Sequence, residues 1–236
     1  MKIIDNINIY ELGLHLNKEK VLIISDLQLG YEENLNKQGI LVPRFQLEDI
    51  KKTLEKLLKK LKPNKVIING DLKHEFGKIS DQEWRDCLRI FDLILNYCKE
   101  LILIKGNHDL ALDPIAKKRD IKVFENLMIG DILILHGHKI EKIPKNIKTI
   151  VIGHEHPAIG LREKGRVETF KCFLKGKYKK NNLVVMPSFN FVHFGTDILR
   201  GVFLSPFLDK LDEFDVIVVA DKMYKFGKIK DIKEND

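Results

Sequence analysis

Asp, Asn and His residues of this chain gather in five short turns, each placed where an apolar run stops. They are Asp26-Leu27-Gln28, Gly70-Asp71, Gly106-Asn107-His108-Asp109, His136-Gly137-His138 and Gly153-His154-Glu155-His156. Five of the eight histidines lie in these turns, His74 follows one closely, and only His15 and His193 fall elsewhere. A lone histidine at a strand end is most often a hydrogen-bonded structural residue. Five turns in succession need another explanation, because gathering so many ionisable groups is costly unless cations neutralise them. Mixed carboxylate, amide-oxygen and imidazole donors suit Mn²⁺, Fe²⁺ or Zn²⁺ better than Mg²⁺ or Ca²⁺.

The elements that must position these turns are legible in the apolar runs. VLIISD (21–26), KVIING (65–70), LILIKG (101–106), DILILHG (131–137) and KTIVIGH (148–154) each end in one of the turns, and LVVMPS (183–188) and DVIVVAD (215–221) continue the series. Uninterrupted β-branched runs of this length predict strands buried on both faces. Between them, the spacing of Leu47, Ile50, Leu54, Leu57, Leu58 and Leu61 predicts a helix over 46–61, stopped before Pro63. Ser80 and Glu83 form a capping-box pattern that opens a second helix, with Trp84, Leu88, Phe91 and Leu95 expected on its buried face. Strands alternating with helices give an α/β fold with much of the sheet parallel, and the shorter connections after Ile121 predict more hairpins. In open sheets of this kind, loops at the carboxyl ends of strands build the site.

The 236 residues suit one domain, here expected over 1–236 with a basic excursion at 161–182. That segment carries +6, from Arg162, Lys164, Arg166, Lys171, Lys175, Lys177, Lys179 and Lys180 against Glu163 and Glu168, while the whole chain carries +7. Such a patch attracts phosphate-rich partners. Phe170, Phe173 and Tyr178 lie among the lysines, as in platforms for single-stranded nucleic acid. A hairpin with an exposed basic face and its aromatics packed inward fits the same residues. Cys87, Cys98 and Cys172 form no CxxC pair and read as reduced thiols, Cys87 as a small core residue. No apolar run approaches the length that crosses a bilayer, and acidic residues interrupt the N-terminus where a signal peptide would be apolar, so the cytoplasm is the expected location.

GDLKH, GNHD, HGH and GHEHP, in that order after a strand ending in DLQLG, resemble the signature of the calcineurin-like metallophosphoesterases. MPSFNFVHFGTDIL (186–199) is similar, more loosely, to the C-terminal segment of the small prokaryotic phosphoesterases associated with DNA ligase and repair helicases. The resemblance implies an α/β/β/α four-layer sandwich with mixed sheets and the metal site at the carboxyl ends of the strands. It implies two divalent ions, Mn²⁺ first, with Fe²⁺, Zn²⁺ or Ni²⁺ as other candidates. Asp71 matches the carboxylate shared by both ions; Asp26, Gln28 and His156 match the remaining ligands of one, and Asn107, His136 and His154 those of the other. His108 matches the residue that contacts the phosphoryl group and helps protonate the leaving group. His138 and Asp109 match positions that hold ligand rings and loops, with a purely structural role equally open for His138. The implied reaction is in-line attack on phosphorus by a hydroxide bridging the two ions, and the basic segment 161–182 makes nucleotides or nucleic acid the expected substrate.

One position departs from the family pattern. Gln28 stands where the pattern has histidine, and a neutral amide oxygen is a weaker partner for a transition ion than imidazole. The alternative reading is therefore a catalytically weak protein-interaction scaffold on the same fold. His74 and Glu75 are candidates to line the substrate pocket or to support ligands. Arg44 and Lys73 are candidate phosphate contacts that read more simply as exposed, solvated charges. Asn190 and His193 are brought toward the site by the resemblance alone.

Overall fold

The computed structural model describes residues 1–77, 79–163 and 166–233. Seven strands form the first sheet: β1 (Lys2–Ile4), β2 (Ile7–Tyr10), β3 (Gly13–Leu16), β4 (Val21–Ile24), β5 (Lys65–Asn69), β6 (Glu100–Ile104) and β7 (Lys122–Phe124). They lie side by side in chain order, antiparallel from β1 to β4 and parallel from β4 to β7. The second sheet contains β8 (Asn126–Ile129), β9 (Ile132–Leu135), β10 (Thr149–Ile152), β11 (Pro157–Glu163), β12 (Arg166–Tyr178), β13 (Asn181–Val185), β14 (Thr196–Asp197), β15 (Asp215–Val219) and β16 (Met223–Lys228). Its parallel centre is β9-β10-β13. Antiparallel pairs surround that centre, including the hairpins expected after Ile121.

Alternation along each strand sends side chains to two cores. Ile23, Ile67 and Ile102 of the first sheet meet Ile134, Val151 and Val184 of the second in a shared inter-sheet core. Leu22, Ile24, Val66, Ile68 and Leu103 point the other way, against helices α2 (Gln46–Leu61) and α3 (Asp81–Leu95), with the short α1 (Tyr31–Lys37) and α4 (Asp113–Lys117) beside them. Each fully buried Leu, Ile or Phe contributes roughly 1.5–3 kcal/mol, so both faces of each strand are stabilising. The outer face of the second sheet is covered by Phe207, Leu208, Leu211, Phe214 and Ile229, from an irregular segment and the short α5 (Ile229–Lys233). The chain is thus an α/β protein of two mixed sheets with covering layers outside.

Helix α2 has the bounds its apolar spacing predicts. At α3 the Ser80–Glu83 capping box is formed in full, but the buried stripe is centred on Cys87, Ile90, Phe91 and Ile94. Trp84, Leu88 and Leu95 flank that stripe, half-buried, instead of forming its centre. All three cysteines are buried free thiols. Among the described residues no helix is long and apolar enough to cross a membrane.

Candidate metal centre

Because β4, β5 and β6 run parallel, as do β9 and β10, their carboxyl ends lie along one edge of the sandwich, and all five turns meet there. Asp26, Asp71, Gln28, His136 and His156 are buried, while Asn107, His108 and His154 are half-buried. Asp71, His136 and His154 bring ligand atoms to within 4.8 Å of one another, and so do Asp26, Asp71 and His156. Asp71 belongs to both groups. His136 Nε2 lies 3.1 Å from the Asn107 side-chain oxygen and 3.4 Å from Asp71 Oδ2, and His156 Nε2 lies 3.1 Å from Asp26 Oδ1.

The backbone at these residues is unusual. Asp26, Gln28, Asp71, His154 and His156 all have positive φ, between 45° and 63°. Left-handed conformations cost non-glycine residues energy and persist where the surroundings hold them, as at functional sites. Glycines make the convergence possible. A Cβ on Gly106 would lie 2.0 Å from Asp71 Oδ1, one on Gly70 2.1 Å from His136 Nδ1, and one on Gly153 2.0 Å from Ser25 Oγ.

Hydrogen bonds leave the ligand atoms pointing inward. Asp26 Oδ2 accepts from Ser25 Oγ at 2.6 Å and from the His154 amide at 3.1 Å, while Oδ1 faces His156. Asp71 Oδ1 accepts from the His108 amide at 3.1 Å, while Oδ2 faces His136 and His108. A backbone carbonyl can only accept, so His136 Nδ1 donates to Asn69 O at 3.3 Å, and Nε2 is turned toward Asp71 Oδ2 and the Asn107 side-chain oxygen. In the same way His108 Nδ1 donates to the His74 carbonyl, leaving Nε2 3.8 Å from Asp71 Oδ2. Burial opposes a charge on His136, but the hydrogen bond to Asp71 and the fields of Asp26 and Asp71 outweigh it and raise its pKa to about 9. Burial, with the nearby His136, lowers that of His154 to about 4.

This donor set fits divalent cations. His156 Nε2 is buried without a hydrogen-bond partner, although a carboxylate oxygen lies beside it, which is where a shared cation would be held. The Gln28 side chain makes no hydrogen bond among the described residues, and its amide is anchored through the backbone to Asp71 O at 2.9 Å.

The other expected residues are arranged around this centre. Asp109 is fully buried and accepts from the Gly106 amide at 3.0 Å and the Leu72 amide at 3.2 Å, tying the turns after β5 and β6 together. Burial and the neighbouring Asp71 raise its pKa to about 6. The His138 ring lies 5.4 Å from that of His136 and 6.1 Å from that of His154, outside both ligand groups. His74 lies between Tyr31, at 4.6 Å, and His108, at 5.7 Å. Arg44 is exposed, but Lys73 corrects the expectation of a solvated charge: it is fully buried and donates to the Glu75 carbonyl. Asn190 and His193 do come near, since Phe189 N donates to Ser25 O at 2.7 Å and Thr196 N to His156 O at 2.9 Å.

The segment 161–182 runs from the end of β11 through β12 into β13, with Lys164 outside the described residues. Phe173 is fully buried between the sheets, and Tyr178 packs on Phe207 at 4.9 Å. The Phe173 ring is not available for stacking on bases, which corrects the expectation for that ring, while Phe170 and Tyr178 are half-buried. Arg162, Arg166, Lys177, Lys179 and Lys180 are exposed. Sequence reasoning missed Ser25, Phe76 packed on the His108 ring, and Glu155, whose buried carboxylate accepts from the Leu204 and Ser205 amides at 2.8 and 2.9 Å. Only the position of Ser25 and Glu155 inside the polar turns could have signalled them.

Two face-to-face sheets with carboxylates and imidazoles gathered at one edge describe a metal-dependent phosphoesterase. The chain belongs to the calcineurin-like phosphoesterase family, which it matches over residues 19–221. It is therefore a hydrolase of phosphate esters, in a family that works with divalent metals. Among solved structures, the nuclease MPE of Pseudomonas putida shares its fold, with a TM-score of 0.62 at 17% identity over 88% of each chain. YfcE, a phosphoesterase from E. coli, is 12% identical over 89% of this chain and 93% of its own, with a TM-score of 0.40. No curated protein matches the sequence.

Proposed function

We propose that this chain is a phosphodiesterase acting on nucleotides or nucleic acid. Asp26, Gln28, Asp71 and His156 would hold one divalent ion and Asp71, Asn107, His136 and His154 a second, with Mn²⁺ the best match to the donors. The observation that carries this reading is the shared position of Asp71 in two ligand groups, with His108 Nε2 aimed at the same carboxylate. Two such ions, when bound, supply an acidified water and draw charge from the phosphoryl oxygens. The chain's own part is geometric and protonic. Asp71 accepts the His108 amide on Oδ1 and keeps Oδ2 free, and the His154 amide is shared by both oxygens of Asp26, at 3.1 and 3.3 Å, so the two carboxylates stay oriented. His108, whose Nδ1–H donates to the His74 carbonyl, has Nε2 left for the proton it would offer the substrate, where it stabilises developing charge and protonates the leaving oxygen. Asp109 keeps the Asp71 and Asn107 turns in register, and His138 packs on the ligand rings.

The nucleic-acid preference is supported by the exposed Arg162 and Arg166 near the tip of the β11–β12 hairpin, which starts at the metal centre, and by a fold shared with a nuclease. The test is hydrolysis of bis-p-nitrophenyl phosphate with Mn²⁺, followed by cyclic nucleotides, dinucleotides and DNA ends. Turnover by the wild type and a loss of about 10²–10⁴-fold in His108→Ala are expected. Equal background rates for the two, with fewer than two equivalents of bound metal, would instead favour the scaffold reading suggested by Gln28.

A further inference from the structure

A cleft of about 480 Å³ lies on the same edge of the sandwich as the metal centre, next to it. Its place follows from strand register. Glu11 and Leu12 form the β2–β3 turn, which lies past the end of β4 because Leu14 pairs with Ile23. On the other sheet, Lys171 pairs with Val219, and both lie beyond the end of β13 because Leu174 pairs with Val185. His193 lines the cleft and also lies 6.2 Å from Tyr31, whose ring packs on His74 beside His108.

One wall of the cleft is aromatic. Phe191 and Phe194 are 40% and 62% exposed and belong to a loop that is held rigidly. Lys171 Nζ donates to Ser188 Oγ at 2.6 Å, to His193 O at 2.8 Å and to Phe194 O at 3.1 Å, and Asn190 Oδ1 accepts from the Val192 and His193 amides. Phe191 packs edge-on against the buried Phe189 at 5.9 Å, and both loop rings leave a large part of their surface facing the cleft. Polar groups line it as well: Thr53, Thr169 and the Glu11–Lys56 ion pair, 2.6 Å apart, offer donors and acceptors. Exposed rings together with hydrogen-bonding groups, in a space of this size, suit a flat heterocycle.

We propose that this cleft takes the nucleobase of the nucleoside esterified to the phosphate at the metal centre. The inference rests on the phosphodiesterase reading and gives it a substrate class. Its test compares thymidine 5′-(p-nitrophenyl phosphate) with methyl p-nitrophenyl phosphate in the Mn²⁺-loaded protein. The wild type is expected to prefer the nucleoside ester in kcat/KM, and the ratio should fall about tenfold in Phe194→Ala and in Phe191→Ala. Both positions are exposed enough for the variants to fold. No preference in the wild type, or an unchanged ratio in both variants, overturns the proposal. Calorimetric titration with thymidine 5′-monophosphate and with inorganic phosphate reads the same subsite without turnover. Tighter nucleotide binding that Phe194→Ala weakens supports it, and equal binding of the two overturns it. If neither ester is hydrolysed, the phosphodiesterase reading fails and the titration alone decides the subsite.

Discussion

Glu83 links the stability of a helix to the orientation of the proposed proton donor. Its carboxylate is fully buried and accepts from the Glu75 amide at 2.9 Å and the Ser80 amide at 2.9 Å, while Ser80 Oγ accepts from the Glu83 amide at 3.1 Å. The first bond fixes the residue after His74, whose carbonyl holds His108 Nδ1. Glu83→Ala removes both acceptors. Hydrogen bonds to a charged group contribute about 1.5–3 kcal/mol each. The Glu75 and Ser80 amides lie in half-buried surroundings where water can replace part of the loss, so a net cost of about 2–4 kcal/mol is expected. For a chain of this size that lowers Tm by roughly 5–15 °C, measured in chelator to separate it from metal binding. Glu83→Gln keeps the packing and one acceptor and should lose about half as much. Once His74 is released, kcat should fall by about 10–100-fold, as small misplacements of a catalytic group do. A Tm equal to wild type would refute the cap. A lower Tm with unchanged kcat would refute the link from Glu83 to His108.

Gln28→His should restore an imidazole at the ion held by Asp26 and His156, shifting activation to lower Mn²⁺ by about tenfold, the scale of single changes around a metal; an unchanged activation curve would mean that the Gln28 side chain does not meet the ion. In Gly106→Ala the new Cβ would lie 2.0 Å from Asp71 Oδ1 and 2.4 Å from the Asp71 backbone nitrogen, so the shared carboxylate must move. Metal content after purification should then drop, and two retained equivalents would contradict the close approach. Burial pushes the Lys171 ammonium down to about 7, with Asp26 opposing, against 10.5 in the open chain. Between those values the unfolded chain binds more protons, so wild-type stability in chelator rises with pH from about 7 to 10. Lys171→Met should lack that rise, and parallel pH profiles of Tm for the two proteins would show that the ammonium is not desolvated.

Much of this protein was readable from short-range pattern. Continuous β-branched runs marked β4, β5, β6, β9, β10, β13 and β15, and leucine spacing marked α2 with its bounds. The brief strands β1 to β3 and β14 have too few residues for a period to show, and they are strands because neighbours complete their hydrogen bonds. At α3 the apolar residues outnumber those the sheet can cover, so the packing against β5 and β6 chose Cys87 and Ile90 over Trp84 and Leu88 for the centre of the buried face. Lys73 shows the same limit: a lysine after a strand reads as solvated, and only the chain folding back over it makes it buried.

What the sequence by itself determined is the inventory of the site. Polar turns at the ends of apolar runs place Asp26, Asp71, Asn107, His108, His136, His154 and His156 at strand termini, because a parallel strand buried on both faces leaves only its ends for chemistry. Only the tertiary structure decided how those residues meet: Asp71 common to two groups, His108 steered by the His74 carbonyl, and left-handed backbone at five candidate ligand positions. It also decided that Phe173 is a core residue while Phe191 and Phe194 face a cleft. These are contacts between residues far apart in the chain. Local propensity carries no term for them, and the packing of one sheet on the other supplies it.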